Sequence, residues 1–179
     1  MLIETKRLVI CKFTMDMAYD VHINSLDEDN KRFVPDEVFE TLQDAQDTLS
    51  YLISCYESNE SPLVYPILLK DNTNIGYVQA IQLNENEYEI GYHIAKKHTG
   101  NGYAKEAVAA FLPVIMKKLN LKEMTGVCLK DNIASSKVME AVGFVKTFDD
   151  IAAAMGCADA IEAVKIALEK PSVGNLKIT

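Results

Sequence analysis

One short stretch restricts this chain more than any other. The strand-like run Tyr88 to Ala95 passes through His98-Thr99-Gly100-Asn101-Gly102-Tyr103-Ala104-Lys105 into a helical pattern. Ala104, Ala107, Val108, Phe111, Ile115 and Leu119 form its stripe. A strand, a glycine-spaced loop and a helix start, in that order, build an anion site. Glycine lets the backbone approach a ligand closely, and the N–H groups of the first helical turn have no partner within the helix. A pyrophosphate is the expected ligand. Two glycines by themselves also make a plain turn and helix cap, and neither common nucleotide pattern is met. Lys105 stands where G-x-G-x-x-G needs its third glycine, and no G-K-[ST] follows.

Around this segment the chain reads as alternating helices and strands. Arg7 to Phe13 is a β-prone run, and Thr14 or Asp16 starts a helix with Met17, Ala18, Val21 and His22 at helical spacing. Past Leu26 an acidic, Asn-containing loop breaks that pattern. Thr41 and Asp44 have capping-box spacing ahead of Leu42, Ala45, Leu49, Leu52, Ile53 and Tyr56, one face of the next helix. Strands follow at Val64 to Leu69 and Ile75 to Leu83, joined by Asp71-Asn72-Thr73-Asn74, and Asn84 to Asn86 turns into Tyr88 to Ala95. The three strands make an antiparallel meander. Pro113, inside the helix after the loop, removes a backbone donor and predicts a kink or a shortening.

Composition narrows the function classes. The 179 residues suit one domain. A net charge of −8 argues against a phosphate-backbone partner and excludes nucleic acid binding as the main activity. The acidic run Asp27, Glu28, Asp29, Asp36, Glu37, Glu40, Asp44 and Asp47 either attracts a cationic amine or is ordinary solvated surface. The longest apolar run, Ala107 to Met116, is half of the roughly 20 residues a membrane span needs, so no membrane residence is expected. Glu4, Lys6 and Arg7 stand where a secretory signal would be apolar, which points to the cytoplasm. Cys11, Cys55, Cys128, Cys157 and the histidines are scattered, without the close spacing of a metal site.

Thr99-Gly100-Asn101-Gly102-Tyr103-Ala104, followed by Glu106-Ala107, resembles the coenzyme A loop of the GNAT N-acetyltransferases, Q/R-x-x-G-x-G/A, with Thr99 in place of the usual Gln or Arg. A second match follows the strand Thr125 to Leu129: Asn132-Ile133-Ala134-Ser135 opens a helix that closes at Ala141-Val142-Gly143-Phe144, like the family's N-x-x-S/A start and G-F finish. An ordinary Asx cap with a glycine stop would look the same. Glu4-Thr5-Lys6-Arg7-Leu8-Val9-Ile10 and Arg32-Phe33-Val34-Pro35 resemble the RimJ/RimL-like branch, which acetylates ribosomal proteins at their N-termini. Ile75-Gly76-Tyr77 and Glu89-Ile90-Gly91-Tyr92 are similar to the strands before the family's loop.

The resemblance implies an α+β GNAT fold: a central, mostly antiparallel mixed sheet, helices on both faces, and a splayed strand pair holding CoA. It implies acetyl-CoA as co-substrate, bound by Ile94, Thr99, Gly100, Asn101, Gly102, Tyr103, Ala104, Lys105 and Asn132, with no metal. It further implies direct attack of an amine on the thioester, with a backbone N–H near Tyr92 to Ile94 facing the oxyanion. Many relatives protonate the leaving thiolate with a Tyr at the place of Met139; in the RimJ/RimL-like branch the Ser of N-x-x-S serves, which makes Ser135 the acid candidate, with Ser136 behind it. Strand alternation puts Glu87, Glu89, Gly91 and His93 on one face, and Glu89 is the base candidate, His93 a structural one. A catalytically silent acyl-CoA-binding module is the alternative.

The resemblance ends near Lys146. Family members continue with two strands, whereas Asp149 to Glu169 is alanine-rich and helical in pattern, with Ile151, Met155, Ile161, Val164, Ile166 and Leu168 apolar. The expected division is an acetyltransferase domain over residues 1–148 and an atypical helical extension over 149–179, packed on that domain or on a second subunit of a homodimer. The acceptor, a peptide or a small-molecule amine, is not legible.

Overall fold

A computed structural model describes residues 1–146 apart from Asn59, Asn86 and Lys130, together with the backbone of residues 161–167. In chain order the elements are β1 (Ile3–Glu4), β2 (Leu8–Ile10), α1 (Ala18–Ser25), α2 (Glu28–Phe33), α3 (Leu42–Ser58), β3 (Leu63–Leu69), β4 (Asn74–Asn84), β5 (Glu87–Ile94), α4 (Tyr103–Lys118), β6 (Glu123–Leu129), α5 (Ile133–Ala141), β7 (Val145–Lys146) and β8 (Ile161–Ala167). They build one sheet in the order β1-β2-β3-β4-β5-β6-β8-β7.

The meander forms as its turns predict: β3, β4 and β5 pair antiparallel. Its first strand β3, flanked by β2 and β4, is buried over Leu63 to Leu68, which suits its unbroken apolar run. The capping box closes reciprocally at the start of α3, where the Thr41 N–H donates to Asp44 Oδ2 at 2.9 Å and the Asp44 N–H to Thr41 Oγ1 at 3.2 Å. Leu8, Ile10, Leu49, Tyr65, Phe111, Ile115, Met124 and Met139 are fully buried and form the centre of the core.

β5 and β6 run parallel and pair only at Glu89 with Thr125 and Ile90 with Gly126. Beyond Ile90 the two strands separate, so the sheet carries the expected splay. β6 is held instead by β8, antiparallel along its whole length from Glu123–Ala167 to Leu129–Ile161.

Four expectations need correction. Residues past Leu26 form the short helix α2 where a loop was expected, because Asp27 caps it by accepting the Asn30 N–H at 2.8 Å. The β-prone run Arg7 to Phe13 is a strand only over Leu8–Ile10, and Thr14 precedes a single tight turn, Met15–Met17, without lending its side chain. Pro113 does not shorten α4, which runs from Tyr103 to Lys118. The carbonyl that loses its donor belongs to Ala109 on the exposed side, where water can replace it. Ile161–Ala167 is a strand, not part of a helix. An unpaired β6 edge with its row of free N–H and C=O groups outweighs the helical preference of alanine. The rest of the predicted tail helix lies outside the described residues.

Candidate active site

The cradle starts at two glycines that need left-handed backbone, Gly100 at φ 78° and Gly102 at φ 75°. Gly102 is the N-cap of α4, and the first helical bond is that of the Glu106 N–H to the Gly102 carbonyl, at 3.1 Å. The N–H groups of Tyr103, Ala104 and Lys105 therefore have no partner within the helix. Asn101 Nδ2 donates to the carbonyls of His98 (3.0 Å) and Thr99 (3.2 Å), and Thr99 Oγ1 donates to the Lys96 carbonyl at 2.9 Å.

A brace from the front of the chain completes the loop. Arg7 Nη1 donates to the Asn101 carbonyl at 2.8 Å, its guanidinium lies 4.6 Å over the Tyr103 ring, and its Nε stands 2.6 Å from Glu106 Oε2. The Thr5 hydroxyl donates to Glu106 Oε1 at 2.6 Å. Burial pushes the Glu106 carboxyl up, but the hydrogen bonds of Thr5 and Arg7 and the charge of Arg7 outweigh it and hold the group below its ordinary value. Arg7 thus supports the loop from the turn between β1 and β2, where Thr99 replaces the longer Gln or Arg. The free N–H groups and the positive end of the α4 dipole fit the pyrophosphate of coenzyme A.

The next part is the splay. The Ala95 N–H donates to the Ile75 carbonyl at 2.8 Å, which sets the parity of the β4–β5 ladder. By alternation Gly91 and His93 bond across to β4, while Tyr92 and Ile94 turn their N–H groups away from it, into the gap beyond Ile90.

Side chains occupy both faces of β5. On the face of Ile90, Tyr92 and Ile94, the Tyr92 hydroxyl donates to the Ser135 carbonyl at 2.9 Å and lies 2.8 Å from Ser135 Oγ. Ser135 is placed by Asn132, whose Oδ1 accepts the Ser135 N–H at 3.1 Å. Burial raises the Tyr92 phenol well above its ordinary value, and the bond to Ser135 offsets only part of this. Met139, at the place of the usual Tyr, is 1% exposed, inside the core.

On the other face Glu89 is half-buried, and loss of solvent pushes its carboxyl up to about 7. His93 Nε2 stands 3.5 Å from Asp27 Oδ2, and burial lowers the imidazole below its ordinary value against the pull of Asp27. The structure therefore places Ser135 and Glu89 on opposite faces at the splay and does not bring them into contact. It gives roles at the site to Tyr92, Arg7 and a half-buried Glu37, which the sequence names only within longer runs. Tyr92 had a signal, a phenol in a row otherwise made of Ile90 and Ile94. Glu37 had only its place in the acidic run, and Arg7 had none for this role, because its partner Asn101 lies far away in sequence. Among the described residues no group of three His, Cys, Asp or Glu side chains could hold a metal ion. No helix among them is long and apolar enough to cross a membrane.

An acetyltransferase (GNAT) domain model matches residues 7–145. The uncharacterized N-acetyltransferase YnaD of Bacillus subtilis is 30% identical over 143 residues, 79% of this chain and 81% of the relative. A GNAT-family acetyltransferase from Bacillus anthracis shares the fold with a TM-score of 0.80 at 25% identity, over 95% of this chain and 100% of that one. A RimL ribosomal-protein α-N-acetyltransferase in complex with coenzyme A gives 0.75 at 15% identity, over 92% and 95%. This chain belongs to the GNAT acetyltransferase family. It is an acetyl-CoA-dependent acetyltransferase.

Proposed function

We propose that the chain transfers the acetyl group of acetyl-CoA to a primary amine, of a protein N-terminus or a small molecule, by direct attack. The observation that carries this reading is the unpaired Tyr92 and Ile94 N–H groups in the splay, with a hydroxyl pair on one face and a raised carboxyl on the other. Acetyl-CoA supplies an activated thioester. As the amine adds to its carbonyl carbon, negative charge builds on the oxygen, and the two N–H groups are positioned to receive it. Glu89 takes the proton of the amine. The C–S bond then breaks, Ser135 gives the sulfur a proton, and the proton that Glu89 took returns through solvent to the Ser135–Tyr92 hydroxyl pair.

The opening strand and the RimL-like fold support a place in the RimJ/RimL-like branch. Cys11 and Cys55 are free thiols, which supports a cytoplasmic setting. Isothermal titration of acetyl-CoA, with Gly102→Glu as control, tests the reading. Micromolar binding, lost when a carboxylate faces the pyrophosphate, is the expected result, followed by thiol release with a primary amine. Absence of wild-type binding would sink it.

A further inference from the structure

A small cavity lies between the α1–α2 region and the face of β4 and β5 that carries His93. Its volume is about 40 Å³, and Glu37, Asn74, Tyr77 and His93 line it with the apolar Phe13 and Phe39. Two features mark it as built for a ligand rather than as a packing defect. The first is Glu37. Its two carboxylate oxygens accept from the Tyr77 hydroxyl and from Gln79 Nε2, the latter at 3.1 Å, and its carbonyl accepts from Asn30 Nδ2 at 2.9 Å. It has no ion-pair partner among the described residues, and burial raises its carboxyl above the ordinary range. A half-buried carboxylate without a cation is held at some cost, and a cation in the cavity would relieve it.

The second feature is Asn74, 3% exposed. Its Oδ1 accepts the Gly76 N–H at 3.0 Å, which fixes the orientation of the amide and leaves Nδ2 buried with no partner. His93 Nε2 is buried as well and faces Asp27 Oδ2 at 3.5 Å, too long for a good hydrogen bond. The occupant must therefore offer an acceptor to Asn74 as well as donors to Glu37. A space of this size is about 4 Å across and admits a head group with the rest of the molecule extending outward. His93 lies on the face of β5 that carries Glu89, so the cavity and that carboxyl share one side of the sheet.

From this pocket we infer that Glu37 determines specificity by holding the acceptor's ammonium group, while Asn74 takes an oxygen on the neighbouring carbon. The preferred acceptors are amines with a hydroxyl or carbonyl beside the amino-bearing carbon, over plain alkylamines. This inference rests on the acetyl-transfer reading for its role and on the cavity alone for its binding.

The test uses the full chain and two probes of nearly equal size, ethanolammonium and propylammonium, titrated while ¹H–¹⁵N spectra are recorded. Saturable shifts at Glu37, Asn74 and His93 with ethanolammonium, several-fold weaker with propylammonium and lost in Glu37→Gln, are expected. Equal binding of both probes to the wild type, or unchanged binding in Glu37→Gln, overturns the inference. The kinetic arm uses whichever amine supports thiol release. Glu37→Gln should raise its KM by about tenfold or more, the size of a lost charge-assisted hydrogen bond, with acetyl-CoA affinity unchanged and with partial rescue by Glu37→Asp. A merely structural Glu37 would not split the two substrates in this way. Probe binding without thiol release for any amine keeps the pocket and sinks the transfer reading; thiol release with an unchanged amine KM in Glu37→Gln does the reverse.

Discussion

Glu89 and Tyr92 stand three positions apart on β5 and face opposite sides of the sheet, yet burial raises both. The consequence for Glu89 is a trade between stability and activity. Its folded value of about 7 lies above the 4.5 of a free carboxyl, so between these values the folded chain binds more protons than the unfolded one. Stability therefore falls as pH rises through that window, and the loss is complete above about 7. Glu89→Gln removes the titration, and its melting temperature should exceed that of the wild type at alkaline pH, with the difference fading in acid. Activity runs the other way. The kcat/KM of the wild type should rise with pH through a value near 7, and Glu89→Gln should lose most of its rate along with that rise. A pH profile for Glu89→Gln that keeps the wild-type shape would remove Glu89 as the base.

Two contacts between elements are open to direct tests. Gly126 on β6 lies under α5, and an added Cβ would stand 2.7 Å from Met139 Sδ and 3.1 Å from the Phe144 ring. Gly126→Ala should cost about 1–3 kcal/mol by overpacking. Combining it with Met139→Ala should cost less than the sum of the two single changes, as urea denaturation would show, because the methyl fills part of the space that the methionine leaves. The second contact is the brace from Arg7 to Asn101 and Glu106. Its ion pair is partly exposed and worth only about 1 kcal/mol or less, a few degrees in melting temperature. Arg7→Ala should nevertheless weaken acetyl-CoA binding several-fold in calorimetry, because the loop loses the donor that holds its carbonyl.

At the scale of the molecule, the sheet consists of a well-paired meander and a second group of strands attached along only two residue pairs, Glu89–Thr125 and Ile90–Gly126. That sparse attachment makes the cofactor gap and moves the burden of holding β6 onto β8. Deleting residues 161–179 should leave an open edge on β6. Size-exclusion chromatography should then show aggregated protein and calorimetry no cooperative transition, whereas a monomeric, sharply melting truncation would show that β8 is dispensable.

By itself the sequence determined the features that depend on neighbours along the chain: the meander, read from its turns; the α3 capping box; the glycine cradle ahead of α4; and the Asn132 start that presents Ser135. Each rests on local backbone chemistry, which a few adjacent residues specify. Tertiary structure alone decided that Ile161–Ala167 is a strand, since an open sheet edge overrides helical preference. It also decided that Tyr92 meets Ser135, that Arg7 braces a loop 94 residues away, and that Glu37 lines one cavity with Asn74. Those pairings bring together residues with no local pattern in common, and their chemistry comes from burial and desolvation, which only the packed molecule defines.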